Sequence, residues 1–195
     1  MTKTEKISGT RRMTGMAILT AIVIVLQLLG SFIRFGPFSI SLVLVPIVIG
    51  AALYGAWAGG WLGFVFGAVV LLSGDAAAFL AVNPAGTIVT CLAKGFLAGL
   101  CAGLVYNLFS EKNETVAAIA AAIVCPIINT GVFLIGCKLF FMETITSWAA
   151  AAGFENVGKF MIVILVGFNF LFEMLVNVIL SPVIIRLIHA ARNNR

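Results

Sequence analysis

Charged residues are scarce in this 195-residue chain. They make up 10% of it, whereas hydrophobic residues make up 62%. A soluble domain has about 25% charged residues. A chain so poor in charge cannot cover a water-facing surface, and its mean hydropathy of +1.18 agrees with this. The composition excludes a soluble globular protein and predicts an integral membrane protein.

The sequence also lacks the motifs of common enzyme chemistry. It has one histidine, His189, and no HExxH, GxSxG or GxxxxGK[ST] motif, so it carries no metalloprotease, serine-hydrolase or ATP-hydrolysing signature. Its four cysteines lie inside apolar segments and form no CxxC or Cys/His cluster. We expect them to pack as small apolar residues. The sequence therefore predicts no enzyme activity, no cofactor and no metal site.

Basic residues outnumber acidic ones, 12 to 7, but they form no patch that would suit a nucleic acid. Seven of the twelve lie near the chain ends: Lys3, Lys6, Arg11 and Arg12 before the first apolar run, and Arg186, Arg192 and Arg195 in the last stretch, which includes the tail 190–195. Basic residues of this kind mark the cytoplasmic side of a membrane protein. We therefore predict a single membrane domain, 13–189, preceded and followed in the sequence by a basic cytoplasmic tail.

Six apolar segments divide the membrane domain. A helix that spans a bilayer needs about 20 mostly apolar residues. The candidates lie at about 13–33, 38–55, 57–73, 87–109, 116–142 and 158–189. The sequence therefore predicts an all-α, six-transmembrane-helix bundle. An even number of crossings places both termini on one side of the membrane, and the basic residues near them identify that side as the cytoplasm.

Three longer connections, 34–41, 73–86 and 143–158, are external in this topology. The stretch "YGAWAG" predicts a tight hairpin between the second and third helices. External loops with polar and aromatic residues, here Asp75, Asn83 and Trp148, can cover a pocket that opens outward.

Glycines recur at helix spacing in two segments. They lie at 59, 63 and 67 in the third segment, and at 95, 99 and 103 in the fourth. Small residues four apart let membrane helices approach closely. We expect these two faces to pack within the bundle.

Polar side chains stand inside the apolar segments, where an ionisable group usually faces a cavity or a partner. Asn169, Glu173 and Asn177 are spaced four apart and share one helix face, while Lys94 and Asn129 occupy two other segments. One outward-facing polar pocket explains all five. Two alternatives stay open: Lys94 and Glu173 could form only a buried ion pair, and the asparagines could only bond between helices.

Several stretches together resemble the substrate-binding S component of an energy-coupling factor (ECF) vitamin transporter. They cover nearly the whole chain: "AILTA" after the basic N-terminus, "SISLVLVPIVIGAALYGAWAGGWLGFVFG", "LAKGFLAGLCAGLVYNLF", "INTGVFLIG" and "NFLFEMLVNVILSPVIIRLI". The chain is most similar to pantothenate-type and riboflavin-type members. The former tend to have a basic residue where Lys94 stands and an Asn-Thr pair where Asn129 and Thr130 stand.

The resemblance implies capture of a water-soluble vitamin, with pantothenate favoured over riboflavin, at the plasma membrane of a prokaryote. It implies two kinds of partner, a membrane coupling protein (the T component) and two cytoplasmic ATPases. Ala17 and Ala21 match the family's AxxxA coupling motif and would lie on the docking surface. The residues predicted to contact the substrate are Asn83, Lys94, Asn129, Trp148, Asn169 and Glu173.

Two other functions are compatible with so apolar a chain. An autonomous ion-coupled secondary transporter of a small organic solute would use Glu173 as its proton-coupling group. No inverted repeat between the first and last three helices supports that reading. An assembly or scaffold protein would bind no ligand, and would leave the polar stripe of the last segment unexplained.

Overall fold

The computed structural model describes residues 9–32, 34–35, 38–39 and 42–193, except for the side chains of residues 32, 34–35, 38–39, 168–169 and 191–193. Within them, a two-stranded antiparallel ribbon follows the first of nine α-helices, and a π-helical segment precedes the last. The elements are α1 (Gly9–Phe32), β1 (Arg34–Phe35), β2 (Phe38–Ser39), α2 (Leu44–Tyr54), α3 (Ala56–Leu72), α4 (Ala77–Leu80), α5 (Pro84–Ser110), α6 (Glu114–Phe140), α7 (Met142–Ala151), α8 (Val157–Phe160), the π-helical segment (Met161–Gly167) and α9 (Phe168–Asn193).

Four described stretches are long and apolar enough to cross a membrane. They are Gly9–Ser31, Pro84–Ser110, Glu114–Phe140 and Val157–Ala190. Helices α2 and α3 are also apolar but shorter, with 11 and 17 residues. At 1.5 Å per residue, α2 extends only about 16 Å, roughly half of a bilayer's hydrocarbon core. The number of membrane crossings therefore remains a prediction.

The predicted second segment, 38–55, is wrong in its first part. Residues 38–39 form a strand, with Phe38 opposite Phe35 and Ser39 opposite Arg34, and the helix begins only at Leu44. The stretch "FSIS" alternates apolar and polar residues, and a period of two favours extended chain over helix. Hydropathy averaged over the length of a membrane span does not distinguish extended chain from helix, because the average contains no information on the order of the residues.

The other two long connections, 73–86 and 143–158, each contain a helix, so the non-helical chain in them is shorter than expected. Helix α4 lies within 73–86, and α7 occupies most of 143–158. The predicted hairpin between the second and third helices is confirmed, because Gly55 alone separates α2 from α3. Its φ of +96° lies in a region that glycine enters without steric cost.

Three helices begin at an asparagine. The side-chain oxygens of Asn83, Asn113 and Asn156 accept hydrogen bonds from backbone N–H groups in the first turns of α5, α6 and α8, with shortest distances of 3.0, 2.9 and 3.1 Å. Such caps satisfy donors that a helix start leaves without a partner. They explain why these helices begin one to three residues before the bounds that hydropathy predicts.

Helix α5 lies at the centre of the bundle and packs along α3 on one side and α6 on the other. At the α3 interface, the carbonyl of Gly95 occupies the space that a Cβ on Gly63 would need, and the carbonyl of Gly63 does the same to Gly95. Gly59 and Gly99 repeat the arrangement. The prediction that these glycine faces pack within the bundle is confirmed.

The start of α1 and the end of α9 lie at the same end of the bundle, which we call the terminal end. Arg12, near the start of α1, donates to the carbonyl of Tyr54 at the end of α2 (3.2 Å). His189, near the end of α9, lies 3.0 Å from Glu114 at the start of α6. This agrees with an even number of crossings. The side of the membrane that the terminal end faces remains a prediction.

Buried apolar side chains form two clusters. The larger one joins α1, α2, α3, α5, α6 and α9 and includes Leu62, Tyr106 and Ile188. The smaller one joins the far end of α6 to α7, α8 and the π-helical segment, through residues such as Ile145 and Phe160. A cavity lies between them.

Replacing Gly63 with leucine should force α3 away from α5, because any side chain there meets the Gly95 carbonyl. Overpacking of this kind costs about 1–3 kcal/mol. We expect a clearly lower midpoint of thermal unfolding in detergent. The matched control is Gly131→Ala on α6, where a Cβ meets no atom within 4 Å and the midpoint should stay equal or rise slightly. Equal midpoints for Gly63→Leu and the wild type would contradict the close contact.

Candidate functional site

A cavity of about 410 Å³ lies between the two apolar clusters. Side chains from α1, α3, α5, α6 and α9 form its wall, and the segments around α4, α7, α8 and the π-helical turn complete it. The short helix α2 contributes none of the lining side chains among the residues that the structure describes. A concave, mostly apolar space with a few convergent polar groups is the usual form of a small-molecule site.

Aromatic rings make up much of the wall, and Phe79 of α4 is the centre of a cluster of them. Its ring centroid lies 5.7 Å from that of Phe133, 5.0 Å from that of Phe141 and 5.5 Å from that of Trp148, all in edge-on arrangements. Phe79 and Trp148 belong to two of the three connections predicted to be external, 73–86 and 143–158. These connections meet through their aromatic side chains at the cavity, at the end of the bundle away from the termini.

Lys94 brings a positive charge to the cavity from α5. Its ammonium nitrogen lies 5.6 Å from the centre of the Phe66 ring and 5.5 Å from that of Phe133, within the range of a cation–π interaction. The ion pair between Lys94 and Glu173 that the sequence left open stays a prediction.

Glu173 lines the cavity from α9 and is 3% exposed. One turn further on, the side-chain N–H of Asn177 donates to the backbone carbonyl of Glu173 at 2.8 Å. Asn177 is buried and lies outside the cavity wall. It therefore belongs to the packing of α9, whereas Glu173 faces the cavity.

Thr90 and Asn129 each carry a buried polar atom that has no hydrogen-bond partner among the described residues. The atoms are Oγ1 of Thr90, a residue that is 5% exposed, and Oδ1 of Asn129, which is 6% exposed. Leaving a buried polar group unsatisfied costs about 1–3 kcal/mol. The neighbouring Thr87 differs, because its hydroxyl donates a hydrogen bond to the carbonyl of Asn83 at 2.8 Å.

A hydrogen-bonded cluster closes one side of the cavity. Oδ2 of Asp75 accepts hydrogen bonds from Gln27 (2.7 Å) and Ser31 (2.8 Å) of α1, and from Ser73 (3.2 Å). Gln27 is 3% exposed and, like Asp75, lines the cavity. The cluster ties α1 to the segment that follows α3.

Four of the six residues predicted to contact the substrate line this one cavity: Lys94, Asn129, Trp148 and Glu173. Their contact with a substrate remains a prediction. Asn83 is not among the lining residues, and its side-chain oxygen caps α5 instead. The side chain of Asn169 lies outside the described part of the structure.

The residues predicted to dock a partner lie elsewhere. Ala17 and Ala21 are both exposed and share one face of α1. No group of three or more His, Cys, Asp or Glu side chains among the described residues is arranged to hold a metal ion.

Sequence reasoning missed Gln27, Asp75 and Thr90 as cavity residues. Gln27 carries the same signal as Glu173, a polar side chain inside an apolar segment. Thr90 stands four residues before Lys94, so the two share a helix face. Asp75 had only the signal of a polar residue in an external connection, because its place at the cavity depends on how the chain turns after α3, through Gly74 with a φ of +84°.

Most of the chain matches the model of a known protein family. Residues 11–185 match the family model described as ECF transporter, substrate-specific component. The matched range contains every residue that lines the cavity. No curated protein matches the chain.

Replacing Asp75 with alanine should destabilise the fold, because Gln27 would lose a carboxylate acceptor while it stays buried. We expect the free energy of unfolding to fall by about 1–3 kcal/mol, measured as a lower thermal midpoint. Glu155→Ala, at an exposed position outside the cavity, is the control and should leave the midpoint unchanged. The same midpoint for both variants would show that the cluster contributes little to stability.

Proposed function

Because the chain belongs to the family of ECF transporter substrate-specific components, we propose that it captures a water-soluble vitamin, first pantothenate and second riboflavin. Members of this family are substrate-binding subunits of transporters and not enzymes. The chain is therefore a membrane transport protein that works with a T component and ATPases.

The cavity is the single observation that carries the proposal. It combines one cation, Lys94, with carboxylate, amide and hydroxyl groups inside an aromatic wall. Pantothenate offers a carboxylate, an amide and two hydroxyls to such a site, and riboflavin offers a planar ring and a polar chain. The cation supports pantothenate as the first candidate, with Lys94, Asn129, Trp148 and Glu173 as its contacts.

We further propose six membrane crossings in the plasma membrane of a prokaryote, with the terminal end in the cytoplasm. The basic residues at both chain ends support this orientation. The cavity then opens toward the outside, where α4 and α7 cover it. A vitamin can thus be bound before any contact with the ATPases.

The exposed face of α1 is the proposed docking surface for the T component. Ala17 and Ala21 lie on it, and both have small side chains. Small residues four apart allow a second helix to come close in the membrane. The cavity and the docking surface are separate, so substrate binding and uptake can be measured independently.

Purified protein should bind pantothenate with submicromolar affinity in the absence of ATP. Titration calorimetry across pantothenate, riboflavin, thiamine, folate, biotin, niacin and pyridoxine measures this. Lys94→Ala should weaken pantothenate binding about tenfold or more, because a charge-assisted hydrogen bond contributes about 1.5–3 kcal/mol. Lys138→Ala, at an exposed position on α6 outside the cavity wall, is the matched control.

No binding by any of these vitamins would refute vitamin capture. Equal affinities for Lys94→Ala and Lys138→Ala would remove Lys94 from the site. Uptake by this chain alone in liposomes, driven by a pH gradient and lost in Glu173→Gln, would favour the secondary-transporter reading instead.

Ala17→Trp should leave vitamin binding intact and abolish uptake by the complete transporter, because a large side chain on the docking face keeps the partner helix away. Leu104→Trp, at an exposed position on α5, controls for the added bulk and should transport normally. The measurements are vitamin affinity in detergent and vitamin uptake by whole cells. Normal uptake by Ala17→Trp would disprove the docking role.

A further inference from the structure

We propose that Phe66 and Phe133 are positioning residues, whose rings hold the ammonium of Lys94 in the cavity as a fixed positive charge for an anionic ligand. This inference rests on the proposed function, since it assumes that the transported ligand binds beside Lys94. It gives two aromatic rings a role in binding beyond the packing of the wall.

The two rings approach the ammonium from different helices. Lys94 belongs to α5, Phe66 to α3 and Phe133 to α6, and the nitrogen lies 5.6 Å from the first ring centre and 5.5 Å from the second. Both distances are within the roughly 6 Å at which the negative face of an aromatic ring attracts a cation. The two distances are nearly equal, so α3 and α6 share the ammonium between them.

A close backbone contact brings Phe66 to the level of the lysine. A Cβ on Gly67, the next residue along α3, would meet the carbonyl of Cys91 in α5. Lys94 follows Cys91 by three residues, less than one helical turn, and side chains lean toward the N-terminus of their own helix. The Lys94 side chain therefore extends back toward the level at which Phe66 lies.

A second contact brings Phe133 to the same place from the other side. Helices α5 and α6 are joined by residues 111–113 alone, so they run antiparallel. A Cβ on Gly136 would meet the side chain of Thr90, so the two helices are close there. Phe133 precedes Gly136 by about one turn, and Lys94 follows Thr90 by about one turn, so both lie at the same level.

Both rings are anchored, as a positioning role requires. Phe66 is 3% exposed and belongs to the larger apolar cluster. Phe133 packs against the smaller cluster, and its ring meets that of Phe79 edge-on at 5.7 Å. Lys94 thus places its ammonium between two fixed rings, one from each cluster.

Rings can position the charge without consuming it. A lysine side chain is long and flexible, and ordering it when a ligand binds costs conformational entropy. Rings that hold the ammonium before the ligand arrives remove that cost, and such preorganisation raises affinity. A ring face attracts the ammonium and leaves its positive charge in place, whereas a carboxylate would cancel that charge.

The first test needs no ligand and uses nuclear magnetic resonance of protein with isotopically labelled lysines. The ε-methylene protons of Lys94, identified by loss of the signal in Lys94→Ala, should resonate upfield of those of a solvated lysine because of the ring currents. Phe66→Leu and Phe133→Leu should each remove part of this shift. The signal of Lys138, exposed on α6, is the control and should not move. An unshifted Lys94 signal in the wild type would overturn the proposal.

The second test keeps each ring nearly unchanged in volume and alters its charge distribution. Phenylalanines with one, two or three ring fluorines, installed in place of Phe66 or Phe133, weaken the negative ring face step by step. The affinity for pantothenate, measured by titration calorimetry, should fall with each added fluorine, by about tenfold over the series. A purely apolar packing role would not produce this trend.

Two controls accompany the fluorine series. Panthenol has an alcohol in place of the carboxylate, so its affinity should not follow the number of fluorines. The matched control position is Phe64, which lies on α3 as Phe66 does but is 40% exposed and stacks on Trp61 at 6.3 Å. Fluorination there should leave the affinity for pantothenate unchanged.

The outcomes keep this inference apart from the proposed function. If pantothenate binds and fluorination of both rings leaves its affinity unchanged, the rings do not position the charge, and vitamin capture stands. If Glu173→Gln moves the Lys94 signal and neither ring variant does, a carboxylate holds the ammonium and the inference is wrong. If no vitamin binds, the proposed function falls, and the Lys94 signal still decides whether the rings hold the ammonium.

Discussion

The structure depends on the contact between the backbones of α3 and α5. Lipid is as apolar as leucine, so membrane helices gain little by hiding apolar side chains from it, and close packing must hold them together. Glycines on both helices allow each backbone to touch the carbonyls of the other. This contact places α5 at the centre of the bundle. It also brings Phe66 of α3 to the ammonium of Lys94.

Burial of polar groups is organised around the cavity. Large apolar side chains such as Leu72, Leu108 and Leu171 are strongly exposed on the outside of the bundle, as lipid contact requires. Several buried polar side chains, among them Gln27 and Glu173, face inward to the cavity instead. A few polar groups that converge on one mostly apolar space are the usual form of a small-molecule site.

The cavity needs nearly the whole bundle. One wall comes from α1 near the start of the chain, another from α9 near its end, and the aromatic cluster from α4, α6 and α7. The half-length helix α2 takes no part. A site assembled from so many elements depends on the packing of all of them, and no single segment carries it.

The sequence by itself determined the membrane class, most of the approximate helix bounds, the glycine contacts and the location of Lys94, Asn129 and Glu173 within apolar helices. These properties are local, because hydropathy and helix spacing depend on neighbouring residues. Only the tertiary structure decided which groups meet: Gln27 contacts Asp75, 48 residues away, and Lys94 lies against the rings of Phe66 and Phe133. Such pairings depend on how distant helices approach, and no local pattern contains that information.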